Sequence, residues 1–274
     1  FANTTASNNT AVGMEALNAN TTASANVGVG FQALVANTTG TNNTGIGYQP
    51  LEANTTGSQN IAVGRGALGS NTTADNNTAV GYDALTANTT GYQHTAIGKA
   101  ALTTNTTGTR NVAIGYQAMD TSTTSSLCVA VGNQSLCDLT TGSYNTGIGY
   151  NTLSNATTGS ECGAFGAWAL ASVTTGTHVN AMGYHAGGDN TTGSNNIYLG
   201  GNSGRSTSPS GSVTTASNII CLGNNDIANL YCADTSISSS DQRDKADIEN
   251  FTAGLSFVNQ MRPITYRWDK RVWY

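Results

Sequence analysis

The sequence predicts an all-β fold, a repetitive β-solenoid or β-roll of 17-residue coils, and three observations predict it. Near-copies of Asn71-Thr-Thr-Ala-Asp-Asn-Asn-Thr-Ala-Val-Gly-Tyr-Asp-Ala-Leu85 recur, and the next begins at Asn88, a period of 88 − 71 = 17. Stepping by 17 gives twelve starts without an insertion, at 3, 20, 37, 54, 71, 88, 105, 122, 139, 156, 173 and 190. Every copy carries Thr-Thr at its second and third positions and Gly at its eleventh, from Gly13 to Gly200. A fixed period with turn residues in constant places marks a stacked repeat.

Each copy divides into three parts. A polar run, Asn-Thr-Thr-Gly-Ser-x-Asn in its common form, reads as a turn. A short β-prone run follows, such as Thr78-Ala-Val80 or Val112-Ala-Ile114. After the Gly comes a segment ending in Ala-Leu, such as Ala84-Leu85. Side chains alternate along a strand. The tenth position is large and apolar throughout, while the ninth is Ala or Gly until Tyr198. The tenth position and the Leu or Met of the fifteenth are expected to form a thin core. The small ninth-position face is expected to be where neighbouring chains pack about a common axis. One coil per copy at the ~4.8 Å strand spacing makes a rod of about 60 Å. So little apolar volume per coil is marginal for one chain, and a homotrimer is expected.

The period breaks at Arg205-Ser-Thr-Ser-Pro-Ser-Gly-Ser212, and Thr214 to Gly223 form a degenerate thirteenth copy, six residues late. Twelve of the 25 charged residues fall in 234–274. The expected organisation is 1–204 as solenoid, 205–234 as loop and last repeat, and 235–274 as a separate α+β module. There, Leu255, Val258 and Met261 have helical spacing up to Pro263, and Ile264 to Trp268 alternate as a strand.

Composition narrows the function. Only 9% of the 274 residues are charged and the net charge is −5, which argues against a nucleic-acid partner. No apolar run approaches the ~18 residues of a membrane span. The chain starts at Phe1 without a signal-peptide pattern, so a segment of a longer protein is expected. Five cysteines without a C-x-x-C pair do not suggest zinc; a Cys221–Cys232 bridge stays open. His94, His178 and His185 read as exposed loop residues and not as a metal site. No cofactor is expected. The Gly-x-Gly runs recur with the repeat and lack a following helix, so they are structural. Asn-Thr-Thr is formally a glycan acceptor, and adjacent Thr columns suggest an ice-binding alternative.

The Asn-Thr-Ala-Val/Ile-Gly-Tyr-x-Ala-Leu repeats resemble the head repeats of trimeric autotransporter adhesins, and more closely the repeat shafts of phage and algal-virus fibres. That resemblance implies a trimeric parallel β-roll. Ser240-Asp-Gln-Arg-Asp-Lys-Ala-Asp-Ile248, with Met261-Arg-Pro263 and Tyr266-Arg-Trp268, resembles the start of the endosialidase-type intramolecular chaperone, peptidase family S74. The resemblance implies self-cleavage between Ser239 and Ser240, with Ser240 as nucleophile and Lys245 as general base. It gives Asp241 and Arg243 the role of shaping the site. A Lys kept neutral by burial can take a serine proton without a His. The expected protein is a virion fibre for host attachment. Its expected partners are other fibre or baseplate proteins and a host-surface glycan or protein receptor. A bacterial adhesin head is the alternative; a polysaccharide-degrading tailspike would need paired carboxylates, which Glu52, Asp75 and Asp83 do not supply.

Overall fold

A computed structural model describes residues 4–229. The chain divides into two units, Phe1–Ala228 and Asn229–Tyr274, and the described residues lie almost entirely in the first. The helix and strand expected near residues 253–268 lie outside them.

The described residues form a parallel β-solenoid with no helix. Its strands are β1 Thr10–Val12, β2 Val27–Val29, β3 Thr44–Ile46, β4 Ile61–Val63, β5 Thr78–Val80, β6 Thr95–Ile97, β7 Val112–Ile114, β8 Val129–Val131, β9 Thr146–Ile148, β10 Gly163–Phe165, β11 Asn180–Met182, β12 Ile197–Leu199 and β13 Ile220–Leu222. All thirteen stand in one sheet in chain order. Pairing is in register at 17 residues, as in Thr78↔Thr95 and Val80↔Ile97. β13 keeps register after the six-residue insertion, with Tyr198 opposite Cys221.

The stacking extends through the turns. Leu68 N–H donates to Ala84 O at 3.1 Å, and Thr55 N–H to Thr72 O at 2.9 Å. Backbone groups that a free loop would leave to water are thus paired coil to coil. The constant Gly has a steric cause. Gly81 sits at φ +143°, and a Cβ there would stand 2.3 Å from Gly98 O. No side chain fits that approach.

The strand's two faces are assigned opposite to the sequence expectation. The small ninth position points inward: Ala62, Ala79, Ala96 and Ala113 are fully buried. It is small because the preceding coil's Leu fills the space; a Cβ on Gly28 would already lie 3.2 Å from Leu17 Cγ. That Leu reaches inward only from a left-handed backbone, with φ 53° at Leu68 and Leu85. The conformation costs roughly 1–2 kcal/mol per residue, and burying the side chain offsets it by about 2 kcal/mol. The tenth position faces outward instead, with Val12 58% and Ile46 40% exposed. The ninth position is therefore not a contact between chains.

The polar run is also more than a turn. Its first and seventh Asn are buried and build two ladders inside the rod. Asn54 Nδ2 donates to Asn37 Oδ1 at 2.8 Å, and Asn71 Nδ2 to Asn54 Oδ1 at 2.9 Å. Each of these Asn also donates to a carbonyl in its own turn, Gly57 O for Asn54 and Ala74 O for Asn71. In the second ladder, Asn43 Nδ2 donates to Gly57 O at 2.8 Å, and Asn43 Oδ1 accepts Asn60 N–H at 2.9 Å. Buried amides are tolerable because they are paired. In the eighth to eleventh coils the first column becomes Ser122, Leu139, Ala156 and Val173, and the rod's interior turns largely apolar.

Candidate functional site

The residues expected to cleave the chain, Ser240, Asp241, Arg243 and Lys245, and the Ser239–Ser240 bond, lie outside the described residues. Cys232 does too, and its expected partner Cys221 carries no bridge. Cys128, Cys137, Cys162 and Cys221 are free thiols. Burial raises the Cys128 thiol to about 11, so it stays protonated.

The described body carries its chemistry on the outside of the rod. The tenth positions of successive strands form an outward apolar stripe, half-buried to exposed from Val12 to Leu222, with Thr, Val or Ile at most eighth positions beside it. Past the glycine turn, the twelfth position forms a second row. Phe31 stacks on Tyr48 at 5.0 Å between ring centroids. The Arg65 guanidinium lies between the rings of Tyr48 and Tyr82, at 5.9 and 5.0 Å, and its Nη1 donates to the Tyr82 hydroxyl. The Lys99 ammonium lies between Tyr82 and Tyr116, 5.7 Å from each. Such cation–ring contacts contribute about 0.5–1 kcal/mol each at exposed sites. Farther on, Trp168 stacks on His185 at 5.6 Å, with Tyr150 and Tyr184 edge-on.

The histidines separate. His178 is exposed and pairs with Glu161 at 2.7 Å, and His185 is half-buried, its pKa lowered first by burial and then by Arg205. His94 is buried, contrary to the loop expectation. It stands in the seventh-position column and reproduces the bonds of the Asn it replaces. Nε2 meets Gly108 O at 2.7 Å, and Nδ1 accepts Asn111 N–H at 3.2 Å. Only a neutral ring with its proton on Nε2 satisfies both. Burial holds its pKa at about 4. The signal was legible as a His in an Asn column.

Two other readings meet the geometry. The first-position Asn of Asn-Thr-Thr is buried with its amide hydrogens engaged, as in Asn54 and Asn71, so the folded rod offers no glycan acceptor there. The second-position Thr hydroxyls donate to the next coil's carbonyl, as Thr55 Oγ1 does to Thr72 O at 3.1 Å. The Thr pair therefore does not display a two-column array. Among the described residues no helix is long and apolar enough to cross a membrane.

Residues 240–272 match the family model of the peptidase S74 domain, the chaperone of endosialidase. The match covers the expected Ser240, Asp241, Arg243 and Lys245. No curated protein and no solved structure matches the chain.

Proposed function

We propose that this protein is the shaft of a viral attachment fibre, a homotrimer whose C-terminal segment is a self-releasing chaperone. One observation carries the reading: a β-solenoid of 17-residue coils is followed in the chain by a segment matching the chaperone of endosialidase. A thin rod of stacked coils is hard to nucleate in register, because its contacts reward folding only after the strands align. An assembly segment later in the chain meets that need.

The trimer contact is the outward stripe of the eighth and tenth positions. The tenth-position Val, Ile, Phe, Met and Leu of thirteen strands leave a long apolar row facing outward, and such a row marks an interaction surface. The Ser240 hydroxyl attacks the carbonyl carbon of Ser239 while Lys245 takes its proton, with Asp241 and Arg243 orienting the pair. The Ser239–Ser240 C–N bond breaks, the Ser240 amine leaves with that proton, and water then hydrolyses the ester to free the Ser239 carboxylate.

The test is the intact mass of the full-length product beside a Ser240→Ala version, with native mass for the assembly. Wild type ending at Ser239, uncut Ser240→Ala and a threefold native mass support the reading. An uncut wild type removes the self-cleavage, and a monomeric wild-type body removes the trimer.

A further inference from the structure

Tyrosines occupy the twelfth position of every second coil: Tyr48, Tyr82, Tyr116, Tyr150 and Tyr184. Two strand spacings separate them, about 9.6 Å. They are 43–57% exposed. Between the first three stand Arg65 and Lys99, themselves two coils apart and exposed. Among the described residues the ion pairs are His178–Glu161 and Arg205–Asp189. Arg65 and Lys99 thus form no ion pair and rest against rings, while the Asp83 carboxylate packs against Gly66, the residue after Arg65. A cation resting on a ring keeps its charge and part of its hydrogen-bonding capacity for a further partner.

The ring faces of Tyr48 and Tyr82 are turned to their neighbours along the rod, since Phe31, Arg65 and Lys99 lie against them. A ligand therefore meets ring edges, hydroxyls and two cations, and does not lie flat on a ring. Such a row suits a polymer with hydroxyls along its length and one anionic group per structural repeat. An extended disaccharide unit has the length of two strand spacings, and a protein ligand has no reason to repeat at that interval.

We propose that the twelfth-position row from Tyr48 to Tyr116 binds a linear acidic polysaccharide carrying one carboxylate per disaccharide. Arg65 and Lys99 take successive carboxylates, and Tyr48, Tyr82 and Tyr116 hydrogen-bond the sugars between them. The row lies beyond the glycine turn from the stripe assigned to the trimer. The inference names a ligand for the surface attachment proposed above and rests on that reading.

The probe is a hyaluronan fragment of ten disaccharides, titrated into the full chain at low ionic strength. Dextran and a polyglutamate peptide of matching charge serve as controls. Hyaluronan binding that weakens at least tenfold in the Arg65→Gln/Lys99→Gln variant, and survives in Arg65→Lys/Lys99→Arg, is the expected result. Tyr82→Phe should weaken it severalfold. Absence of hyaluronan binding, binding unaffected by the double variant, or equal binding of polyglutamate overturns the proposal. Circular dichroism of each variant reports folding, and an unfolded glutamine variant leaves Tyr82→Phe to decide. Native mass and cleavage, read on the same samples, show whether the fibre reading stands independently.

Discussion

The first seven coils and the four that follow share a backbone and differ in what fills them. In the first group an amide column runs down the rod, from Asn20 through Asn37, Asn54, Asn71 and Asn88 to Asn105. In the second the same column holds Ser122, Leu139, Ala156 and Val173, and the seventh-position column holds Cys128, Asn145, Cys162 and Val179. The backbone pairing is the same in both, with Leu68 N–H to Ala84 O at 3.1 Å and Leu153 N–H to Ala169 O at 3.0 Å. The coil shape is therefore set by glycine and stacking, and the interior can be polar or apolar provided that each column is consistent with itself. The amide column ends at Asn105, and Ser122 takes its place in the following coil.

Reciprocal exchange breaks the comparison most sharply. Asn71→Leu deprives Asn54 Oδ1 and Asn88 Nδ2 of a partner inside the rod, and should cost about 3 kcal/mol or more. Leu139→Asn puts an amide among Ser122 and Ala156, and should cost about 3 kcal/mol. Urea unfolding of each decides; two tolerated exchanges would mean that the columns are not selective.

The next effect depends on pH. His94 has a folded pKa of about 4 against 6.5 for a free ring. Between those values the unfolded chain binds a proton that the folded chain refuses. Stability therefore falls as pH drops from 6.5 to about 4 and is kept above 6.5. The difference amounts to about 3 kcal/mol. His94→Asn, which installs the residue of the neighbouring coils, should flatten this part of the pH–stability curve. If the curve is unchanged, the ring is not the titrating group.

Smaller effects are stabilising. Tyr198 is fully buried with no partner for its hydroxyl, so Tyr198→Phe should raise stability by about 1 kcal/mol, seen in thermal unfolding. Cys128→Asn lets a true amide span Gly142 O and Asn145 N–H, where Sγ now stands 3.6 and 3.5 Å away. It should add about 0.5–1 kcal/mol, readable as slower amide exchange across β8. A loss in either variant would mean that these columns are packed for volume and not for hydrogen bonds.

Period, strand position and the fixed Gly were legible in the sequence because each is a local demand repeated twelve times. The inside was not. Alternation at Thr78-Ala-Val80 defines two faces but does not say which is enclosed. The choice is made by Leu68 and Leu85, which enter the rod only through a left-handed φ that leucine ordinarily avoids. Asn71 looked like turn chemistry because an amide is costly to bury alone; only in-register copies at Asn54 and Asn88 make it a core residue. Of the expected cleavage residues, the family match covers Ser240 and Lys245. The Tyr–cation row escaped notice because its spacing is twice the repeat.

Identical coils carry a hazard of their own, since a chain that mis-stacks by one repeat still finds Gly against Gly and Thr against Thr. Tyr198 removes that freedom at one place. A Cβ on Gly187 or Gly204 would lie 2.5 or 2.3 Å from its ring, so the ring occupies the room that Leu takes in earlier coils. Shifted by a single coil, it would meet Leu170 where Gly187 should be. The chain thus bears a key cut for one lock, and that key sits in β12, one strand before the last of the sheet.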